Sequence, residues 1–504
     1  MGMILKLFVI VSYYISPFSV STLNAVDIDA GSTILWGPGL DPENITMRAR
    51  YIFIQLVDKN GNNVTESPGK KIISSHMTGK SDSGTQCRIW SEILDCKDGS
   101  FILRYNIYNT CFDLKIEIKI KGKALHLKQA TFKGPVYEEE CYCPSPSFET
   151  WSNQNHCPEE YSQILQDLEP FPSVDFDILR DKIISRYNKP HSVSICHYVI
   201  KSNEVYRSCY GEHVGFKTFV DKILLSLTRK MVLPDVEFFM NLGDWPLVQK
   251  SQELYPIISW CGSDDSMDIV VPTYEITQSS IEAMGSVSLD MLSVQGNTKQ
   301  PWSKKVNKVF WRGRDSRRER LDLIDLAKKS PQFFNVSITK FFFFRDKMDM
   351  YGPEQKHTSF FDFFEFKYQL NIDGTVAAYR FPFLMAGDSL VFKQNSKYYE
   401  HFYKGVEDGM QFISIKSDLS DLIQKVQWAL DNDADAHDIA KRARQYVRDN
   451  LMPQDIFCYY AVLINEWSRR LKNTIEIQAG MEHVDKLKHE CNCLNFRRVK
   501  KEEL

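Results

Sequence analysis

The sequence predicts a multidomain chain, an N-terminal β-sandwich followed by a larger α/β unit of two lobes. Three observations carry that reading. Leu114, Ile116, Ile118 and Ile120 alternate strictly with Lys115, Glu117, Lys119 and Lys121, the two-residue period of a half-buried strand. From about residue 160 onward, strand-like runs alternate with helical ones, the pattern of parallel sheets with crossover helices. The chain of 504 residues is long enough for two or three domains, and its α/β part for two lobes with a cleft between them.

Residues 1–25 read as a secretory signal peptide. Lys6 supplies the positive charge, "LFVIVSYYI" the apolar stretch, and cleavage falls between Ser21 and Ala25. An uncleaved anchor is the competing reading, but Ser12, Ser16 and Pro17 leave too short a span for a bilayer. Residues 26–133 form the sandwich. "ARYIFIQLVDKNGN" is a strand running into an Asn-Gly turn, and "CKDGSFILRYNIY" places Asp98-Gly99 before another strand. Residues 134–160, rich in Pro, Ser and Cys, are expected to form an irregular linker pinned by disulfides.

Residues 161–475 form the α/β unit. Its strands include "VEFFMNL", "KVFW", "YQLNI" and "SLVFK". Its helices include "FKTFVDKILLSLTRKM", "SRRERLDLIDLAKK", "TVAAYRFPFLMA" and two long C-terminal segments. The run Phe341 to Phe344 reads as a buried strand. Residues 476–504 are a tail that closes with "KEEL", Lys501 to Leu504, a variant of the KDEL retrieval address. Signal and address together place the protein in the endoplasmic reticulum lumen, with the KDEL-type receptor as a partner and no membrane span after cleavage.

A net charge of −3 offers no basic excess to neutralise phosphates, which argues against nucleic acid. Twelve cysteines in an oxidising compartment are expected to pair. Cys141, Cys143 and Cys157 lack the matching His or Cys pair of a zinc knuckle. N-glycosylation sequons start at Asn44, Asn63 and Asn335.

Three segments could carry chemistry. In "NLGDWP", Pro246 forces Trp245 into an extended conformation, so Asp244 ends a strand at a sheet mouth, where open α/β folds place ligands. A turn-capping aspartate is the bland alternative. In "VFWRGRDSRRER", Ser316 and Glu319 have capping-box spacing, so a helix should start near Arg317 with arginines around its N-terminus. A solvated basic helix start explains the same residues equally well. In "NIDGTVAAYRFPF", Thr375 can cap a helix, Ala377 and Ala378 allow close approach, and Arg380 follows one turn on. Pro382 implies a kink or a late start. No G-x-S-x-G elbow occurs, and no Asp-x-Asp pair sits at a strand end, so neither nucleophilic catalysis nor a metal is expected.

"WGPGL", "DKNG" and "DGSFILRY" resemble the filamin-type immunoglobulin-like repeat. The set "NLGDWP", "WRGRDSRRER", "KYQLNIDGTVAAYR" and "YYEHFY" resembles the protein O-glucosyltransferase family, in its branch with a KDEL-like tail. That resemblance implies a GT-B fold of two Rossmann-like lobes. It implies inverting, metal-independent transfer of glucose from UDP-glucose to a serine of folded EGF-like repeats of the Notch and fibrillin type. It makes Asp244 the catalytic base. It makes Gly313, Arg314, Arg320, Thr375, Val376, Ala377, Ala378, Tyr379 and Arg380 the donor-binding residues. It also implies that Cys458 bonds with Cys141, Cys143 or Cys157. Two departures stand out: Arg314 replaces a serine, and Phe364 and Gly387 replace a cysteine pair that staples the donor loop, which must then be held by packing. The alternatives are UDP-xylose as donor, or a non-catalytic lumenal protein that binds EGF repeats.

Overall fold

The computed structural model describes residues 27–281, 290–356, 358–485 and 491. The expected signal peptide, Cys493 and the KEEL tail lie outside the described residues. The N-terminal β-region is built from two sheets. One orders Ile34–Trp36, Arg50–Gln55, Ser100–Ile107 and Ile89–Asp95, all antiparallel. The other joins Ile73–Lys80, Phe112–Ile120, Lys123–Ala124 and Thr131–Phe132. Ile52, Phe101 and Leu103 of the first pack on Leu114, Ile116 and Ile118 of the second. The alternation read from the sequence is therefore the core face of one strand. Gly99 has φ of +79°, and a Cβ there would lie 1.9 Å from the Val64 carbonyl oxygen, so the turn before Ser100–Ile107 requires glycine.

The segment 134–160 is more ordered than a linker. It carries helix Phe148–Gln154, whose N-cap Ser147 accepts from the Thr150 N–H. Glu139 is buried against Lys230, with Nζ at 2.7 and 2.8 Å from its two oxygens. Burial pushes the Lys230 ammonium down to about 8. Disulfides Cys143–Cys491 and Cys157–Cys458 tie the segment to the C-terminal part of the chain. Of the three partners left open for Cys458, the structure selects Cys157, while Cys141 is itself disulfide-bonded.

The α/β part holds two sheets. The five-stranded sheet, ordered Phe334–Lys340, Val306–Arg314, Phe366–Asn371, Leu390–Gln394 and Ile413–Ile415, is parallel throughout, as the sequence predicts. The six-stranded sheet corrects the expectation of parallel pairing. Only Ile269–Val270, Ile257–Ser259 and Val236–Asn241 run parallel; Ile195–Lys201, Glu204–Tyr210 and Glu482–His483 are antiparallel. The cause is local. Ser202 and Asn203 have φ of 52° and 64°, the two-residue hairpin turn that Asn favours, and Cys196–Cys209 bonds its strands together.

The phenylalanine run is not a strand. Phe341 is buried, but Phe342 and Phe343 are 57% and 56% exposed. The fully buried Asp315 carboxylate accepts the N–H groups of Phe342, Phe343 and Phe344 at 2.8, 3.0 and 2.6 Å, capturing the donors a ladder would use. Among the described residues, no helix is long and apolar enough to cross a membrane.

Candidate active site

A cavity of about 440 Å³ opens between the carboxyl ends of the two α/β sheets. Asp244 lines it from the six-stranded side. Gly313, Arg314, Arg320 and the run Thr375, Val376, Ala377, Ala378, Tyr379 and Arg380 line it from the five-stranded side. Every residue singled out for Asp244-type chemistry or donor contact thus reaches one space. Glu275 and Arg312 join them.

The loop bearing Asp244 is fixed by other polar groups. Asn241, the last residue of its strand, accepts the Gly243 N–H at 2.9 Å and donates to the Trp245 carbonyl at 2.7 Å. Asp268 accepts the N–H groups of Leu247 and Val248. Asp244 therefore caps nothing. Its backbone carbonyl accepts from the Cys261 thiol at 3.3 Å, while its Oδ1 is buried without a partner. Burial raises the pKa of this carboxyl. An uncompensated buried carboxylate oxygen facing a cavity is costly to keep, and it is how a proton acceptor is held ready.

On the opposite wall the helix is Arg318–Lys329, and its N-cap is Arg317 without any side-chain cap bond. The expected capping box does not form, because Ser316 Oγ instead accepts from Arg320. Arg320 is 4% exposed and nearly saturated. It donates to the carbonyls of Asp373 (2.8 Å), Arg314 (2.9 Å) and Ile372 (3.0 Å), besides Ser316. One of its five N–H groups is left. Burial, then the neighbouring Arg380, pulls its guanidinium down to about 9. Gly313 is dictated by packing, since a Cβ would meet the Trp311 ring at 2.4 Å.

Thr375 caps no helix. The segment after Asp373 is irregular, and the helix is the six-residue Phe381–Ala386, with Arg380 at its N-cap and Pro382 in its first turn, the late start that Pro382 implies. Arg380 donates once, to the Arg312 carbonyl, and leaves its other donors open to the cavity. Phe364 is fully buried with its ring against Gly387, where a Cβ would lie 1.9 Å from it. Aromatic packing thus stands at the positions where the resemblance implied a missing cysteine staple. Glu275, which no sequence signal marks, lies in the first turn of helix Tyr274–Ile281. Burial raises its pKa and Arg380 opposes the rise. Of the sequon asparagines, Asn44 and Asn63 are exposed, whereas Asn335 is half-buried and accepts from Arg312 at 2.7 Å.

Two α/β sheets that close an arginine-lined cavity over a buried carboxylate oxygen without a partner suit an enzyme of the group-transferring class. The chain belongs to glycosyl transferase family 90, whose model matches residues 152–503. Its relatives include protein O-glucosyltransferase 2 of Danio rerio, 49% identical over 92% of this chain and 93% of that protein. Protein O-glucosyltransferase 3 of Homo sapiens is 43% identical over 91% and 90%. Protein O-glucosyltransferase 1 of Homo sapiens is 27% identical over 71% of this chain and 91% of that protein. The resemblance drawn from "NLGDWP", "WRGRDSRRER" and "KYQLNIDGTVAAYR" is thereby upheld.

Proposed function

We propose that this glycosyltransferase moves glucose from UDP-glucose to a serine hydroxyl of folded EGF-like repeats, with inversion, in the endoplasmic reticulum lumen. One observation carries the chemistry: the partnerless, pKa-raised carboxylate of Asp244 faces a wall of arginines across the cavity. In the reaction the serine oxygen attacks the anomeric carbon, its proton passes to Asp244, and the bond to the diphosphate breaks. Inversion needs base and leaving group on opposite faces of the sugar, and the two walls suit that need. Charge that grows on the departing UDP is met by Arg314 and Arg380, which keep free donors, with the fixed charge of Arg320 behind them. No metal is invoked, because these guanidiniums supply the positive charge.

The finer architecture in this reading is a GT-B pair of lobes with a filamin-type domain ahead of it. The four disulfides among the described residues suit an oxidising lumen. The names of the relatives favour glucose over xylose as the donor sugar.

Incubation with UDP-glucose and a folded EGF-like repeat should add one hexose to the repeat, read by intact mass. No mass gain with UDP-glucose, or a gain of one pentose only with UDP-xylose, would overturn the reading.

A protein acceptor must lie across the cavity mouth. Trp245, next to Asp244, is 48% exposed; its backbone carbonyl is held by Asn241 and its ring is set edge-on to Tyr398 at 5.9 Å. An exposed indole beside the cavity is a ready contact for a protein surface. Trp245→Ala should raise KM for the EGF-like repeat by about tenfold, the equivalent of about 1.4 kcal/mol, with UDP affinity unchanged. An unaltered KM would remove Trp245 from the acceptor site.

A further inference from the structure

Three segments distant in sequence meet at one junction. Helix Met291–Gly296 leads the chain from the six-stranded towards the five-stranded sheet. Met291, Leu292 and Val294 lie in a hydrophobic core shared by Phe239 and Ile258 of the first sheet with Phe310 and Val391 of the second, while Val309 and Trp311 lie in a core of the second sheet alone. Helix Asp433–Asn450 runs into the returning helix Pro453–Ser468: Ala436, Ile439 and Ala440 pack in the second sheet's core, Ala443 and Val447 in the shared one. The third segment is the turn at Asp98 in the N-terminal β-region.

Arg444 and Arg448, one helical turn apart, hold all three together. Arg444 donates to the Gln295 carbonyl at 2.5 Å, and Arg448 to the Gln295 amide oxygen at 2.7 Å, which joins the two crossings. Both guanidiniums also meet Asp98 Oδ2, at 3.1 and 3.3 Å. Arg444 further reaches the Cys96 carbonyl, and Arg448 the Ser100 hydroxyl at 2.9 Å. Ser100 orients the other oxygen of Asp98 through its N–H and hydroxyl. Gln295, Arg444 and Arg448 are buried. Nearby, Arg104 donates to Ser293 at 2.9 Å, and Leu94 lies against Gly296.

We infer that the N-terminal β-region is a brace on the transferase, and that Asp98 is a positioning residue that locks its two crossings together. The physical reason is charge. Two buried guanidiniums on one helix face repel unless an anion lies between them, and the anion comes from a separate region of the chain. With Asp98 in place, the sheet that carries Asp244 is fixed against the sheet that carries Arg314, Arg320 and Arg380. Without it the crossings loosen, and the two walls of the cavity lose their register.

The catalytic half of this inference rests on the proposed transfer reaction, so the test includes a readout that does not. Spin labels at Asp181→Cys and Lys329→Cys, on exposed helix positions over the two sheets, report the inter-sheet distance by pulsed electron resonance in the full chain. Asp98→Asn should broaden that distribution and cut kcat by about 10- to 100-fold, with UDP affinity unchanged. Asp98→Glu should restore both. An unchanged distance distribution in Asp98→Asn overturns the brace whatever the activity does. A broadened one in a protein that transfers no sugar upholds the brace and overturns the proposed reaction. Should Asp98→Asn not fold, Ser100→Ala removes the hydroxyl's two bonds, to Asp98 and from Arg448, and keeps the charge. Broadening in Ser100→Ala then supports the inference, and an unchanged distribution overturns it.

Discussion

Asp244→Asn should lower turnover by about 10²–10⁴-fold, the range for loss of a positioned general base, while UDP binding persists. The amide keeps the shape of the carboxylate but cannot accept the serine proton. A second signature separates this from a folding defect. Burial raises the Asp244 pKa above its ordinary value of 3.8, so the ionised form costs the native state free energy. That cost is absent below 3.8, grows as pH rises from there to the folded-state pKa, and is complete above it. Asp244→Asn should therefore melt higher than the wild type at pH 7, and the gap should close on acidification. The same sign places the acidic limb of kcat/KM above the ordinary carboxylate range, since the protonated acid is inactive. Retained turnover, or a lower melting temperature at pH 7, would show that Asp244 is not the base.

The second large effect is expected at Arg320. Its fork ties the ends of two adjacent strands by donating to Asp373, Ile372 and Arg314. Lysine keeps the charge but offers one nitrogen in place of a fork. Arg320→Lys should leave at least two buried carbonyls unpaired and cost about 3 kcal/mol of stability. The loop from Thr375 to Arg380, which begins where Arg320 anchors the chain, would lose its position. UDP affinity should fall by at least about tenfold, since about 1.4 kcal/mol of lost contact suffices. Thermal melting and calorimetric titration with UDP read the two effects. If affinity falls without a change in melting, Arg320 acts on the diphosphate alone and does not anchor the loop.

Much of the candidate site was legible because its signals are local. Asp244, Gly313 and Arg320 each sit within about six residues of a strand end and Arg380 just before a helix start, and a strand end followed by Gly, Pro or a helix start is written in consecutive residues. What local pattern could not assign is which polar group serves which backbone. Asn241 takes the turn that Asp244 could have capped. Ser316 has capping-box spacing yet accepts from Arg320. Thr375 could cap a helix that begins only at Phe381. For the first two the winning partner is itself a near neighbour, since Asn241 lies two residues from Gly243 and Arg320 four from Ser316, and spacing alone does not choose among near partners.

Periodicity and motif spacing act over a few residues, and they suffice for the division into a β-region and an α/β unit, for the parallel sheet and for the family. Three other features emerge only in the folded chain. The phenylalanine run turns outward, because Asp315 captures the backbone donors of that loop. The first α/β sheet is mixed, because Ser202-Asn203 closes a hairpin. Asp98 meets Arg448, 350 residues away. The reason is common to the first and the last, the hairpin being a local turn. A buried charge or an unpaired N–H costs so much that the chain must find its partner in space, and the distance in space carries no trace in the spacing along the chain.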